Sequence, residues 1–194
     1  MLVIVGPSGA GKTTLAKALA KHGSFDLALE GHTERPFQAL FKQDPKYALA
    51  NQLDYLLYRA EQERALRGGD KPALMDGGLD LDFHGFTRLF HARGWLSDPE
   101  FDLCQRFYSL TRSLLPHPDL VVALNASTQT ISERLVSRDR INIASADDSD
   151  LMAQFIEEWT KSLPEEKVLK LDTSREGKDY SQSVQAILER AGLS

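Results

Sequence analysis

The sequence predicts an α/β domain, a five-stranded parallel sheet with helices on both faces. Three observations predict it. Short, continuously apolar runs alternate with longer stretches of helical period, the pattern of parallel strands buried on two sides. The first run, Leu2–Val5, passes directly into a glycine-rich loop, Gly6-Pro7-Ser8-Gly9-Ala10-Gly11-Lys12-Thr13-Thr14. The 194 residues suffice for one such domain, 1–194, with a sizeable core.

Leu2–Val5 is the first strand. Phe25–Leu29, Ala73–Met75, Leu120–Leu124 and Val168–Leu171 are four more, each bounded by Gly, Pro or charged residues. Between them the period becomes helical. Thr13–His22 carries Leu15, Ala18 and Leu19 on one side and stops at Gly23, as a C′ glycine would stop it. Tyr47–Leu66 reads as a long helix with Leu49, Leu53, Leu56, Leu57 and Ala60 inward. Glu100–Leu115 ends at Pro116-His117-Pro118, and Thr128–Arg138, Leu151–Leu163 and Tyr180–Ala191 complete the set. Gly68-Gly69-Asp70-Lys71-Pro72 is a turn. No internal repeat or low-complexity tract interrupts the pattern.

Composition narrows the function. A net charge of −5 leaves no basic footprint for nucleic acid, although local basic clusters can still hold a phosphorylated ligand. Cys104 is the single cysteine, so no intrachain disulfide and no cysteine-based metal site can form, and it reads as a small buried hydrophobe. Met1 to Val5 is too short for a signal h-region or a membrane span, so no targeting segment is expected and the cytoplasm is the expected address. The five histidines are scattered, and neither a paired-carboxylate site nor a nucleophilic triad finds support.

The glycine-rich loop carries the chemistry. After a strand, its glycines let backbone N–H groups turn inward and cradle the phosphates of a nucleotide. Lys12 is expected to reach the terminal phosphates, and the Thr13 hydroxyl to ligate Mg²⁺. Asp76, at the end of Ala73-Leu74-Met75, is the expected second metal residue. The predicted fold is thus that of the P-loop nucleoside triphosphate hydrolases, with ATP and Mg²⁺ as cofactors.

The remaining motifs concern the acceptor. Leu29-Glu30 closes the second strand and is followed by Pro36-Phe37. Phe41, Gln52 and Arg59 come next, and the seven-residue spacing of Gln52 and Arg59 puts them on one helical face. Asp82 follows the third strand. Pro118-Asp119-Leu120 leads into the fourth strand, followed by Asn125-Ala126-Ser127 and a helix bearing Arg134, Arg138 and, at its end, Arg140. In this order, from Leu2 to about Leu171, the motifs resemble the deoxynucleoside kinases, particularly the bacterial enzymes for deoxyadenosine and deoxyguanosine.

The resemblance implies phosphoryl transfer from MgATP to the 5′-hydroxyl of a deoxynucleoside, a purine preferred, in nucleotide salvage. By it Glu30 is the general base, with Glu34 its nearest competitor. Gln52, Arg59 and Asp82 read the nucleobase, and Phe41 stands where the animal enzymes have a sugar-holding Tyr. Arg134, Arg138 and Arg140 belong to a lid, about 134–150, that closes over the transferring phosphoryl group. It also implies a homodimer, or a heterodimer with a related subunit. Phe86, Leu89, Phe90, Trp95, Phe101, Phe107 and Tyr108 suit either that interface or the core.

Two departures stand out. The family has an acid, an Arg and a Ser after the third strand, whereas this chain reads Asp76-Gly77-Gly78; Arg35 and Arg88 are the candidates to replace the lost cation. The family follows its last lid Arg with a Glu for the sugar 3′-hydroxyl, whereas Ile141-Asn142-Ile143 follows Arg140, leaving Asp147 or Asp148 as substitutes. Two other readings therefore stay open. One is a kinase of another acceptor such as a nucleotide, for which Arg35, Arg59, Arg64 and Arg88 are available. The other is a nucleotide-binding subunit with weak activity beside a partner.

Overall fold

The structure, a computed structural model, describes residues 1–29, 34–136, 146–177 and 179–193. Five strands, β1 (Leu2–Val5), β2 (Asp26–Ala28), β3 (Ala73–Asp76), β4 (Leu120–Asn125) and β5 (Val168–Asp172), form one sheet in the order β2-β3-β1-β4-β5. Every pairing is parallel. The five runs named from apolarity are the five strands. β1 and β3 are buried along their whole length, which is why they read as unbroken hydrophobic runs.

Helix α1 (Lys12–His22) and the last helix α9 (Ser181–Ala191) cover one face, joining Leu15, Leu19, Val184 and Ile187 to Ile4, Leu74 and Val122. The other face, with Val3, Val5, Met75 and Val121, packs on Met152, Ile156 and Trp159 of α8 (Ala146–Lys161). A third cluster lies among α2 (Pro36–Gln43), α3 (Ala48–Arg67) and α6 (Asp98–Leu114) and is rich in aromatic rings. Phe41 stacks on Phe90 there, with Trp95 edge-on to both. Leu89 and Phe90 are fully buried, and Trp95, Phe101, Phe107 and Tyr108 pack against this cluster, so these residues are core.

Three segments differ from expectation. Helix α6 begins at Asp98, because Ser97 and Glu100 form a capping box in which the Ser97 N–H donates to the Glu100 carboxylate at 2.8 Å. Helix α8 already includes Ala146, five residues ahead of the expected start at Leu151. Asp82–Thr87 forms a π-helical segment between α4 (Leu79–Leu81) and α5 (Arg88–Ala92), and such segments gather at functional sites. The short α7 (Thr128–Val136) follows β4.

Helix α3 carries the main correction. Leu57, expected to face inward, is exposed. The buried stripe is instead Asn51, Gln52, Leu56, Arg59 and Glu63, spaced at three and four residues but mostly polar. Glu63 accepts two bonds from Arg112, at 2.9 and 2.8 Å, and two from Arg67. Arg112 also donates to Asp80, as does the Tyr108 hydroxyl at 2.7 Å. Burial pushes the Glu63 carboxyl up, but Arg112 and Arg67 outweigh it and hold it below the ordinary range. At Asp80 burial outweighs the Arg112 charge and the Tyr108 hydrogen bond and lifts the carboxyl above the ordinary range.

Candidate active site

The site begins where β1 ends. Gly6 to Gly11 turn the chain back over the strand, and Gly11 sits at φ +99°, in the left-handed region that favours glycine, immediately before α1. No side chain caps α1 and no acidic residue occupies its first turn, so its N–H groups and positive dipole end face the loop interior. The Lys12 ammonium donates to the carbonyls of Gly6 at 2.9 Å and Pro7 at 3.1 Å. Those bonds fold the cation back across the loop mouth.

The neighbouring strand supplies the acid. β3 pairs with β1, register Ile4 to Asp76, which brings Asp76 beside the start of the loop. The Thr13 hydroxyl donates to Asp76 Oδ2 at 2.5 Å. Asp76 is fully buried, and its other oxygen, Oδ1, has no hydrogen-bond partner among the described residues. A buried carboxylate oxygen left unsatisfied is costly unless a cation or donor meets it. A hydroxyl and a carboxylate fit Mg²⁺, which takes one or two protein oxygens and completes its shell with phosphates and water. Among the described residues no group of three His, Cys, Asp or Glu could hold a metal by itself.

Where the sequence predicts acceptor-binding residues, α3 and the π-helical segment meet. Arg59 Nε donates to Asp82 Oδ2 at 2.8 Å in a buried ion pair, and Arg59 Nη1 donates to Gln62 at 3.0 Å. Gln52 lies two turns earlier on the same buried face, as the spacing requires. The Thr87 hydroxyl lies 3.1 Å from Gln52 Oε1 and 3.0 Å from the Asp82 carbonyl. With one proton it serves one acceptor at a time, linking the glutamine to the segment that carries Asp82. Gln52, Arg59 and Asp82 are thus brought together, whereas Phe41 is buried in the aromatic cluster.

The residues expected in a lid divide. Arg134 Nη1 donates to the carbonyl of Ala10 at 3.1 Å and its Nη2 to the carbonyl of Thr173 at 2.8 Å. Its guanidinium therefore braces the phosphate loop against the segment after β5. Asp148 accepts from Arg93 Nε at 2.7 Å, which engages it on the α5 side. Glu30, Arg138 and Arg140 lie outside the described residues, as does the segment Ile141 to Ser145. Glu34, the competitor for Glu30, pairs with Lys42 at the surface.

The candidates to replace an arginine after Asp76 are engaged elsewhere. Arg35 grips Asp54 with Nε and Nη2, each at 2.5 Å, and lies over the Tyr58 ring. Arg88 donates to Glu158 at 2.6 Å and lies over Phe155. Three residues at the site were missed from sequence. Thr173 donates to the Ala10 carbonyl at 2.8 Å, Thr87 joins Gln52 to Asp82, and Tyr180 packs on Gly11. Hydroxyls and a tyrosine carry no spacing signal of their own.

A glycine loop uncapped at a helix N-terminus, with a strand-end acid bonded to the loop threonine, defines a P-loop nucleotide-binding protein of the kinase type. The deoxynucleoside kinase family profile matches residues 2–191. The chain belongs to the deoxynucleoside kinase family. It is 27% identical over 145 residues to a deoxyguanosine kinase of Bacillus subtilis (strain 168), a match covering 72% of this chain and 67% of that protein. It is 29% identical over 141 residues to a deoxyadenosine kinase of Dictyostelium discoideum, covering 72% of this chain and 57% of that one. The matches thus span about two thirds or less of those relatives' length. A solved deoxyadenosine kinase from M. mycoides, with products dCMP and a flexible dCDP bound, superposes with a TM-score of 0.82 at 19% identity, covering 98% of both chains. That likeness bears out the expected fold.

Proposed function

We propose that the chain moves the γ-phosphate of MgATP to the 5′-hydroxyl of a deoxynucleoside, with a purine preferred. The observation that carries this reading is the Thr13–Asp76 hydrogen bond at the loop mouth, with Asp76 Oδ1 buried and unpartnered beside it. Gly6 to Thr14 cradle the triphosphate, Lys12 meets the terminal phosphates, and Thr13 with Asp76 hold the metal. Bound Mg²⁺ neutralises charge on the phosphate oxygens as the phosphoryl group transfers. Gln52, Arg59 and Asp82 orient the base. Glu30, by its place in the motif, takes the hydroxyl proton, and Arg138 and Arg140 close over the transferring group from a lid at about 134–150 of a single domain.

Of the four arginines available to a nucleotide acceptor, Arg35, Arg59 and Arg88 pair with Asp54, Asp82 and Glu158, whereas Arg64 is exposed. The protein acts in the cytoplasm and pairs with a second copy of itself. Leu103, Leu110 and Leu114 form an exposed stripe on α6 at helical spacing, with Leu57 of α3 also exposed. Among the described residues no helix is long and apolar enough to cross a membrane.

An ADP-release assay tests the function, using MgATP with a panel of deoxynucleosides, ribonucleosides and nucleoside monophosphates, and Lys12→Ala as the blank. Turnover with one or two purine deoxynucleosides is expected. Turnover with monophosphates alone overturns the acceptor, and a flat panel with ATP still bound overturns the reaction in favour of a subunit that needs a partner.

A further inference from the structure

The site lacks an arginine after its metal acid, and the position holds a glycine with an unusual neighbour. The Gly77 N–H donates to the Ile4 carbonyl at 2.9 Å, fixing it at the carboxyl edge of the sheet beside the start of the phosphate loop. Its φ of +82° lies where side chains are strained. A Cβ built there would lie 3.3 Å from Arg59 Nη2 and 3.7 Å from Arg59 Cζ. The guanidinium of Arg59 therefore rests against the backbone of the residue that follows Asp76. Its Nε is held by Asp82 and its Nη1 by Gln62, which fixes the plane of the group and aims Nη2 at that edge. Arg59 is 2% exposed, so its charge acts through little water.

We propose that Gly77 and Arg59 work as a pair: the glycine clears the strand edge for a guanidinium that stabilises charge at the reacting end of the acceptor while also gripping Asp82. The inference rests on the deoxynucleoside kinase reading and deepens it. In the transfer, the acceptor hydroxyl oxygen bonds to the γ-phosphorus, the bond from that phosphorus to the ADP oxygen breaks, and the hydroxyl proton passes to a carboxylate. Arg59 forms no covalent bond and takes no proton; it lowers the energy of negative charge spread over the phosphoryl oxygens. A single cation then couples base recognition to the chemical step, and a poorly matched base that shifts Arg59 also slows transfer.

The full-length chain is assayed with MgATP and its best deoxynucleoside, comparing wild type, Arg59→Lys and Gly77→Ala, each checked by thermal unfolding. Arg59→Lys is expected to lower kcat by about 100-fold, beyond any rise in acceptor KM. Gly77→Ala, whose methyl presses on Nη2, is expected to lower kcat with acceptor KM little changed. An Arg59→Lys protein that raises acceptor KM but keeps kcat has lost base reading only, and that result overturns the inference alone. Should Arg59→Lys not fold, retention of kcat by Gly77→Ala overturns it equally. No turnover by the wild type overturns this inference together with the reading beneath it.

Discussion

The phenol of Tyr180 occupies the space into which a Cβ on Gly11 would project. Tyr180 precedes α9 and is buried, and it is the one non-glycine residue with positive φ, at 54°, among those described. A tyrosine in the left-handed region is held there by its surroundings at a cost on the order of 1–2 kcal/mol. Here the ring packs beneath the phosphate loop, in the cluster that includes Ala10 and Leu15.

Gly11→Ala should therefore displace both the loop and Tyr180. Turnover is expected to fall about 100-fold or more, since small misplacements of a binding loop are costly. Tyr180→Ala should destabilise by about 3 kcal/mol in urea unfolding and weaken ATP binding, while Tyr180→Phe keeps the packing. Normal ATP affinity in a folded Tyr180→Ala protein would show that the loop holds its shape unaided.

Asp76→Asn removes the charge that the buried Oδ1 brings to the loop mouth. The Mg²⁺ concentration for half-maximal turnover is expected to rise by about 10-fold or more, and chelation of Mg²⁺ should abolish wild-type turnover. Thr13→Val should shift the Mg²⁺ titration the same way. An unchanged titration in both variants would place the metal elsewhere.

His84 makes stability depend on pH. Its ring stacks on Trp159 and its Nε2 lies 3.1 Å from the Tyr108 hydroxyl, which donates onward to Asp80. The phenol proton is thus committed, so Nε2–H is the donor to the phenol oxygen. Burial first, then the charges of Arg88 and Arg112 and a smaller push from His117, lower its pKa to about 3. The unfolded chain takes up this proton below about 6.5 and the folded one does not until about 3. Stability is full above the first value and is lost as pH falls toward the second, by up to about 1.4 kcal/mol per pH unit. Urea midpoints for wild type and His84→Gln across that window check this; parallel curves for the two proteins would remove His84 as the cause.

The exposed leucine stripe predicts self-association. Leu110 is 63% exposed and Leu114 75% exposed. Sedimentation of the wild type should show a dimer, and Leu110→Lys with Leu114→Lys should give a folded monomer. A wild-type monomer at micromolar concentration, or a dimer indifferent to the lysines, would rule out this face.

The strands and the phosphate loop were legible because each is a local matter. Leu2–Val5 is apolar throughout since β1 is central, and the glycine spacing that follows answers to backbone conformation within eight residues. Helix α3 was legible in position but not in orientation. Its inward face carries Asn51, Gln52, Arg59 and Glu63, and polar residues on a buried stripe look like surface until their partners on other elements are known. Asp82, Arg112, Thr87 and Asp80 are those partners, 23 to 49 positions away for the bonds they make to Arg59, Gln52 and Glu63 or to one another.

What the sequence by itself determined was the parallel α/β sheet, the loop that turns α1 toward a phosphate, and the order of motifs that marks the family. Those features rest on periodicity, glycine conformation and spacing along one chain segment. Only the tertiary structure decided that Arg35 and Arg88 are committed elsewhere, that Tyr180 lies beneath Gly11, and that Arg59 rests against Gly77. Each of these is a contact between residues far apart in sequence. Their energies come from burial and charge pairing across elements, and a linear pattern holds no record of them until the sheet and helices have closed.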